Sequence, residues 1–356
     1  MRILLFLLLA VSAFAEQPLG APLAASNRKA VCDQLLLPDP QKRAVAIVRL
    51  RCDGKDAQRD FRTALDRAKI TAVANLRSKL PLVKSGDASL AALRREFANY
   101  KTLADAARAL VQTDHHKDKA KLAEMDKAFT AAETAHARLK HALNPGGSAP
   151  LVQVLDAMQW LAEIRRDLDW CEGKPADLAS LDLAGVLANE NAPEPLKTFA
   201  SELAPFISLR EFHRCINTAH MAMRWAKNEQ IQHADYFNDR RFVLGLGPQM
   251  LSERLCAAAD QHNEEMVKLK YFAHDSPVAA NKSFVERAKN AKFEGAPHGE
   301  CIYMGGPTAR DANTGWWYSD PHRLGMYGSN DSAQGIARFG AGTWTFLNGN
   351  FTKFPF

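Results

Sequence analysis

Two histidines and two carboxylates in the last third of the chain have the residue types to do chemistry: His274, Glu300, Asp320 and His322. Each stands beside a turn signal. His274 follows an aromatic pair in Tyr271-Phe-Ala-His-Asp-Ser-Pro277, Glu300 sits in Gly299-Glu300-Cys301-Ile302, and Asp320 and His322 belong to Trp317-Tyr-Ser-Asp-Pro-His-Arg323. Side chains delivered from such corners can point into one cleft. Two imidazoles suit Zn²⁺ or a similar borderline ion, with a carboxylate or water completing the shell, so His274 and His322 are the expected metal ligands. A metal with an open position beside Glu300 as general base would give a hydrolase, with Glu300 and His322 as its catalytic groups. Without a reaction, His274, Glu300, Asp320 and His322 together would form a ligand-binding set, or a network of charge-assisted hydrogen bonds that only ties loops together. No His-Glu-x-x-His helix and no Gly-x-Ser-x-Gly elbow occurs, and His262-Asn-Glu-Glu265 lacks the second histidine four residues on.

The elements that must position these residues can be read from spacing. A helix opening at Gly247-Pro248 puts Leu251, Leu255, Ala258, His262, Met266 and Leu269 on one face and ends at the His274 corner. Ser283-Phe-Val-Glu286 reads as the capping box of a second, shorter helix. Residues 301–304, 335–339 and 343–347 are short, aromatic or β-branched and bounded by Gly, which predicts strands. Thirteen of the twenty glycines and five of the six tyrosines lie after residue 235, so a mixed fold with turns begins there.

Upstream the composition turns to Ala, Leu, Lys, Arg and Glu. Phe61, Leu65 and Ala68 start one helix, and Leu90, Leu93, Phe97 and Tyr100 mark another. Between 117 and 143, Leu122, Met125, Phe129, Ala132, His136, Leu139 and Leu143 alternate spacings of three and four, a coiled-coil-like seam that Asn144-Pro-Gly-Gly147 should stop. A helix over 150–170 and a heptad spacing through Leu209, Phe212, Ile216, Ala219, Met223 and Ala226 complete a predicted helical bundle over residues 60–232.

Length and composition bound the rest. A chain of 356 residues with 47% hydrophobic and 24% charged residues should hold two or three ordinary globular domains. The net charge of +6 is spread without a run of like charges, which argues against a nucleic-acid partner. Arg2, an apolar block from Ile3 to Val11 and Ala13-Phe14-Ala15 read as a signal peptide over residues 1–15, so the protein is expected to be secreted, extracellular or periplasmic, with no membrane span. Residues 16–59 then read as a linker and a pinned N-terminal segment. In an oxidising compartment six cysteines predict disulfides, and sequential pairing would join Cys32 to Cys52, Cys171 to Cys215 and Cys256 to Cys301.

Asn238-Asp-Arg-Arg241, Gly245-Leu-Gly-Pro248, Tyr271-Phe-Ala-His-Asp-Ser-Pro277, Gly299-Glu300, Trp317-Tyr-Ser319, His322-Arg323 and Trp344-Thr345 follow one another in an order that resembles the CAP superfamily. These are the cysteine-rich secretory, antigen 5 and pathogenesis-related proteins, also called SCP-like, and the likeness is to their bacterial secreted branch over residues 236–356. The resemblance implies an α+β chain: an N-terminal all-α helical module, then a CAP-like α-β-α sandwich with a small antiparallel sheet and an open cleft. By motif the family's cleft residues fall on His274, Glu300 and His322, with Asp320 standing near its fourth, acidic position. Cys301 replaces the family's usual Asn, which fits a disulfide to Cys256. The expected function is an exported binding protein whose cleft captures an extracellular or envelope ligand, a lipid, glycan or peptide, with or without a divalent metal such as Zn. The alternatives are a metal-dependent peptidase using the same cleft, and a helical scaffold for homo-oligomerisation or partner binding.

Overall fold

The computed structural model describes residues 22–53, 55–83, 88–144, 148–188, 190 and 192–356. The expected signal peptide, and the Pro-Gly-Gly stop after Asn144, lie outside them. The chain is α+β. Helices α1 (Ala25–Gln34), α2 (Pro40–Cys52), α3 (Lys55–Lys79), α4 (Ala88–Val111), α5 (Lys119–Ala142), α6 (Pro150–Cys171), α7 (Leu183–Leu187) and α8 (Glu194–Ala222) make the helical part. Then come α9 (Asn228–Val243), β1 (Met250–Leu251), α10 (Glu253–Lys268), α11 (Phe284–Asn290), β2 (Gly295–Met304), α12 (Ala309–Trp317), α13 (Asp320–Tyr327), β3 (Ala333–Phe339) and β4 (Thr343–Phe351).

Local chemistry sets many of these boundaries. Asp39 accepts hydrogen bonds from the Gln41 and Lys42 amides ahead of α2, with Pro40 at the first helical position, and Asp118 does the same for Ala120 and Lys121 at the start of α5. In α5 the predicted seam is the buried face: Met125, Phe129, Ala132, His136 and Leu139 turn inward, while Leu122 is only half-buried. Helix α4 packs on α5, α3 on α6 and α2 on α8. No helix among the described residues is long and apolar enough to cross a membrane.

The sheet has the order β1-β3-β4-β2 and is mixed, not purely antiparallel as expected, because the two-residue β1 runs parallel to β3. Met250 and Leu251 occupy this strand where the sequence predicted the first turn of a helix; the helix starts at Glu253, behind the Ser252 cap. Alternation along the strands divides the two faces. Leu347 and Ala337 face α10, where they meet Leu255, Ala258 and Ala259, and Gly335 lets the helix come close, since a Cβ there would lie 2.4 Å from that of Leu255. On the other face Phe346 meets His233 of α9 and Trp316 of α12. Helices thus cover both sides of the sheet.

That alternation also explains a correction. The structure holds no disulfide. Cys301 follows Glu300 on β2 and turns to the face opposite α10, the helix that carries Cys256, so the expected pair is separated by the sheet. Cys215, within α8, donates to Glu211 Oε1 at 3.4 Å, and Cys171 lies 4.0 Å from the Gln58 carbonyl at the far end of α6. Burial pushes the thiols of Cys52 and Cys171 up to about 12. Cys32 and Cys52 belong to two helices that pack into the bundle through apolar contacts and, at Arg28–Asp53 (3.1 Å), an ion pair.

The C-terminal part docks on the α4–α5 turn through buried polar groups. Arg323 donates to the carbonyls of Val111 (3.0 Å), Thr113 (2.8 Å) and Trp317 (3.0 Å). Gln112 Nε2 donates to the Tyr327 carbonyl at 2.7 Å and Tyr100 Oη to that of Phe242 at 3.1 Å.

Candidate functional site

Glu300 is the anchor. It stands on β2, at the sheet edge, with its side chain 1% exposed. Sequence spacing gives no hint of its main partner, Arg287 of α11, whose guanidinium is fully buried and donates to Glu300 Oε2. Arg287 also donates to the carbonyls of Asn281 (2.8 Å), Lys282 (3.0 Å) and His274 (3.1 Å), so one side chain ties α11, the loop before it and the His274 corner to the strand. The predicted Ser283–Glu286 capping box is formed and fixes the start of α11 four residues before Arg287.

His274 hangs from the other carboxylate oxygen. Its Nδ1 lies 3.0 Å from Glu300 Oε1 while the ring stays 55% exposed. The hydrogen bond from Glu300 raises its pKa above the ordinary histidine value, against the opposing effect of burial. Beneath it, Glu265 of α10 accepts from Ser276 Oγ at 2.6 Å and from Asn281 Nδ2, which shapes the Asp-Ser-Pro turn.

His322, on α13, faces His274 with ring centroids 6.4 Å apart, and its Nδ1 bonds Ser319 Oγ at 2.9 Å. Burial, with the charge of His274 added, lowers its pKa. The two imidazoles are pushed in opposite directions, so near neutrality His274 is the better cation and His322 the better neutral donor or acceptor.

Asp320 is not brought into this group. It accepts from Arg323 and from the backbone amides of His115 (3.2 Å) and Lys117 (3.1 Å) in the α4–α5 turn. Burial alone would raise its pKa, but these bonds and the Arg323 charge hold it down to about 2. His116 and Lys117 have φ of 51° and 61°, and the Asp320 carboxylate is what secures this left-handed turn. The reason is angular: two residues on a helix point about 200° apart, so Asp320 and His322 leave α13 on opposite sides.

Two groups absent from the sequence expectation complete the surroundings. His262 of α10 is fully buried; its Nε2 donates to the Ala273 carbonyl (3.1 Å), which leaves Nδ1 to accept from Tyr271 Oη (3.3 Å), and burial lowers its pKa. Its Nε2 is also 3.8 Å from Glu300 Oε1. Two residues before Glu300, an irregularity in the β2–β4 register re-aims His298 toward the buried Asp331, 2.6 Å away, which in turn accepts from Asn348 Nδ2 at 2.6 Å. Beside Tyr271 lies an open, largely apolar groove of 520 Å³, lined by Met266, Phe272 and Met304 among others.

The zinc expectation does not fit this donor set. Among the described residues no group of three or more His, Cys, Asp or Glu side chains is arranged to hold a metal ion. Both Glu300 oxygens are occupied, one by Arg287 and one by His274, which leaves His274 and His322 without a third ligand.

No protein-family model matches the chain, and no curated protein matches it either. Among solved structures, an extracellular protein containing an SCP domain from Bacillus anthracis str. Ames is similar at 22% identity, with a TM-score of 0.33, over 34% of this chain and 40% of that one. A likeness of that size carries no weight for activity or ligand.

Proposed function

We infer that this chain is a binding protein, acting after export, that captures an amphiphilic acid such as a lipid at the His274–His322 site. The observation that carries the reading is the closure of Glu300 by Arg287 and His274. A carboxylate held between two cations is poorly placed to activate water; it serves instead to hold an exposed imidazole in its protonated form. That imidazole suits an acidic head group. The groove at Met266, Phe272 and Met304 continues from Tyr271, three residues before His274, and offers an apolar channel for an acyl chain. The motif order shared with CAP proteins supports the same reading. Nothing in the geometry favours the peptidase alternative with Glu300 and His322 as catalytic groups.

The test is calorimetric titration with oleate, a single-chain acid, beside oleyl alcohol. Oleate should bind at least tenfold tighter than the alcohol, and His274→Ala should remove that preference. Equal retention of oleate by the wild type and by the His274→Ala, His322→Ala double variant would defeat the proposal.

A further inference from the structure

A second cleft, of 540 Å³, opens where α5 of the helical part faces α9 and α12. It lies on the Trp317-Tyr318 side of α12 and shares no lining residue with the groove beside His274. Four aromatic side chains form its walls: Phe129, Tyr236, Trp317 and Tyr318. Asp126 fixes two of them from across the cleft, accepting from Trp317 Nε1 at 2.7 Å and Tyr318 Oη at 2.8 Å. Tyr318 nevertheless stays 45% exposed and forms a lip. Arg240 lies between Trp317 and Phe129, its guanidinium carbon 3.7 Å and 4.3 Å from the two ring centroids. Its Nη1 donates to Tyr236 Oη at 2.9 Å, but its buried Nε has no hydrogen-bond partner. A second guanidinium, from the exposed Arg310, stands 5.7 Å from the Tyr236 ring. The acceptors Glu133 and Asp239 complete the lining.

The mixture selects the ligand. A purely anionic guest would meet the carboxylates of Asp126, Glu133 and Asp239, and a purely cationic one would meet Arg240 and Arg310. A neutral pyranose carries hydroxyls that both donate and accept, on a skeleton whose C–H faces are apolar. It can satisfy guanidinium donors and carboxylate acceptors at once while lying against rigid aromatic rings. A cleft between two packed regions is also where ligand sites concentrate. We propose that the cleft bounded by Phe129, Tyr236, Trp317 and Tyr318 is a binding site for a neutral oligosaccharide, with Arg240 and Arg310 as its hydrogen-bond donors.

The full chain applied to an array of neutral and acidic oligosaccharides tests this, followed by titration of the best neutral glycan. Binding of a neutral glycan that weakens at least tenfold in both Tyr318→Ala and Arg310→Ala is the expected result. Both side chains are exposed enough that the variants should fold. His274→Ala should leave the affinity unchanged, which separates this cleft from the acyl-chain site. Retention of no neutral glycan, retention of acidic glycans alone, or equal binding by the wild type and both variants would overturn the proposal.

Discussion

Arg43 and Glu163 meet at 2.7 Å in the helical part with side chains 3% and 2% exposed, and Arg287 meets Glu300 in the C-terminal part with side chains 0% and 1% exposed. The two pairs differ in where they lead. From Glu163 the network runs inward, through Gln159 (2.7 Å) to Glu211 and Arg210, all buried, and the neighbouring Arg166 and Asp167 close on each other. Burial, with the nearby Glu163, raises the Glu211 pKa, a sign of charges packed against one another. From Glu300 the network runs outward and ends on a half-exposed imidazole. A buried ion pair that finds all its partners inside the protein fixes the packing of helices. One that spends its second oxygen on a surface group sets that group's charge, and is the better mark of a site.

Acid should break both regions, and most strongly where they join. His136 and His213 stack against Phe242 of α9, with centroids 4.5 Å and 4.6 Å away, and His233 lies between Phe237 and Phe346. Burial pushes their pKa values down to about 4, 3 and 3. These are cationic acids with depressed folded values, so the unfolded chain binds more protons. Stability is therefore full above pH about 6.5 and falls as pH drops toward the folded values, by about 2 kcal/mol per histidine at pH 5. Urea unfolding at pH 8 and pH 5 should show a combined loss of about 6 kcal/mol. His136 Nε2 has no hydrogen-bond partner, so His136→Leu should cost little at pH 8 and recover about 2 kcal/mol of that loss at pH 5. A pH-independent stability across this window would show that these rings are hydrated.

The inward network supplies the next largest effect. Glu163→Ala leaves Arg43 buried without its carboxylate and should cost about 3–5 kcal/mol in thermal or denaturant unfolding. A loss under about 1 kcal/mol would mean that water reaches the pair.

The outward network should respond in charge more than in stability. Glu300→Gln removes the group that raises the His274 pKa, so the His274 titration followed by NMR should move to lower pH, while His274→Ala should change stability by less than about 1 kcal/mol. An unmoved His274 titration would sever the link between buried pair and surface group on which the contrast depends.

Periodicity made much of this architecture legible in the sequence. The α5 seam, the helix over 150–171, three of the four strands and the Ser283–Glu286 cap all follow from spacing, because each is a local preference reinforced by burial. The fourth strand, two residues long, has no pattern to read. Of the site, His274, Glu300 and His322 were legible as residue types at turns and are brought together. Asp320 was misread because nearness in sequence does not give direction around a helix. Arg287 and Asp331 were missed for the complementary reason: each meets its partner only after separate elements have packed.

The junction at Arg323 has a consequence for synthesis. The Val111 and Thr113 carbonyls at the end of α4 receive donors from a residue 212 and 210 positions later. A chain growing from its N-terminus at roughly 5–20 residues per second would carry these groups toward water for on the order of ten to forty seconds. The finished surface of the N-terminal half is therefore a late product, sealed only when almost the whole polypeptide has been made.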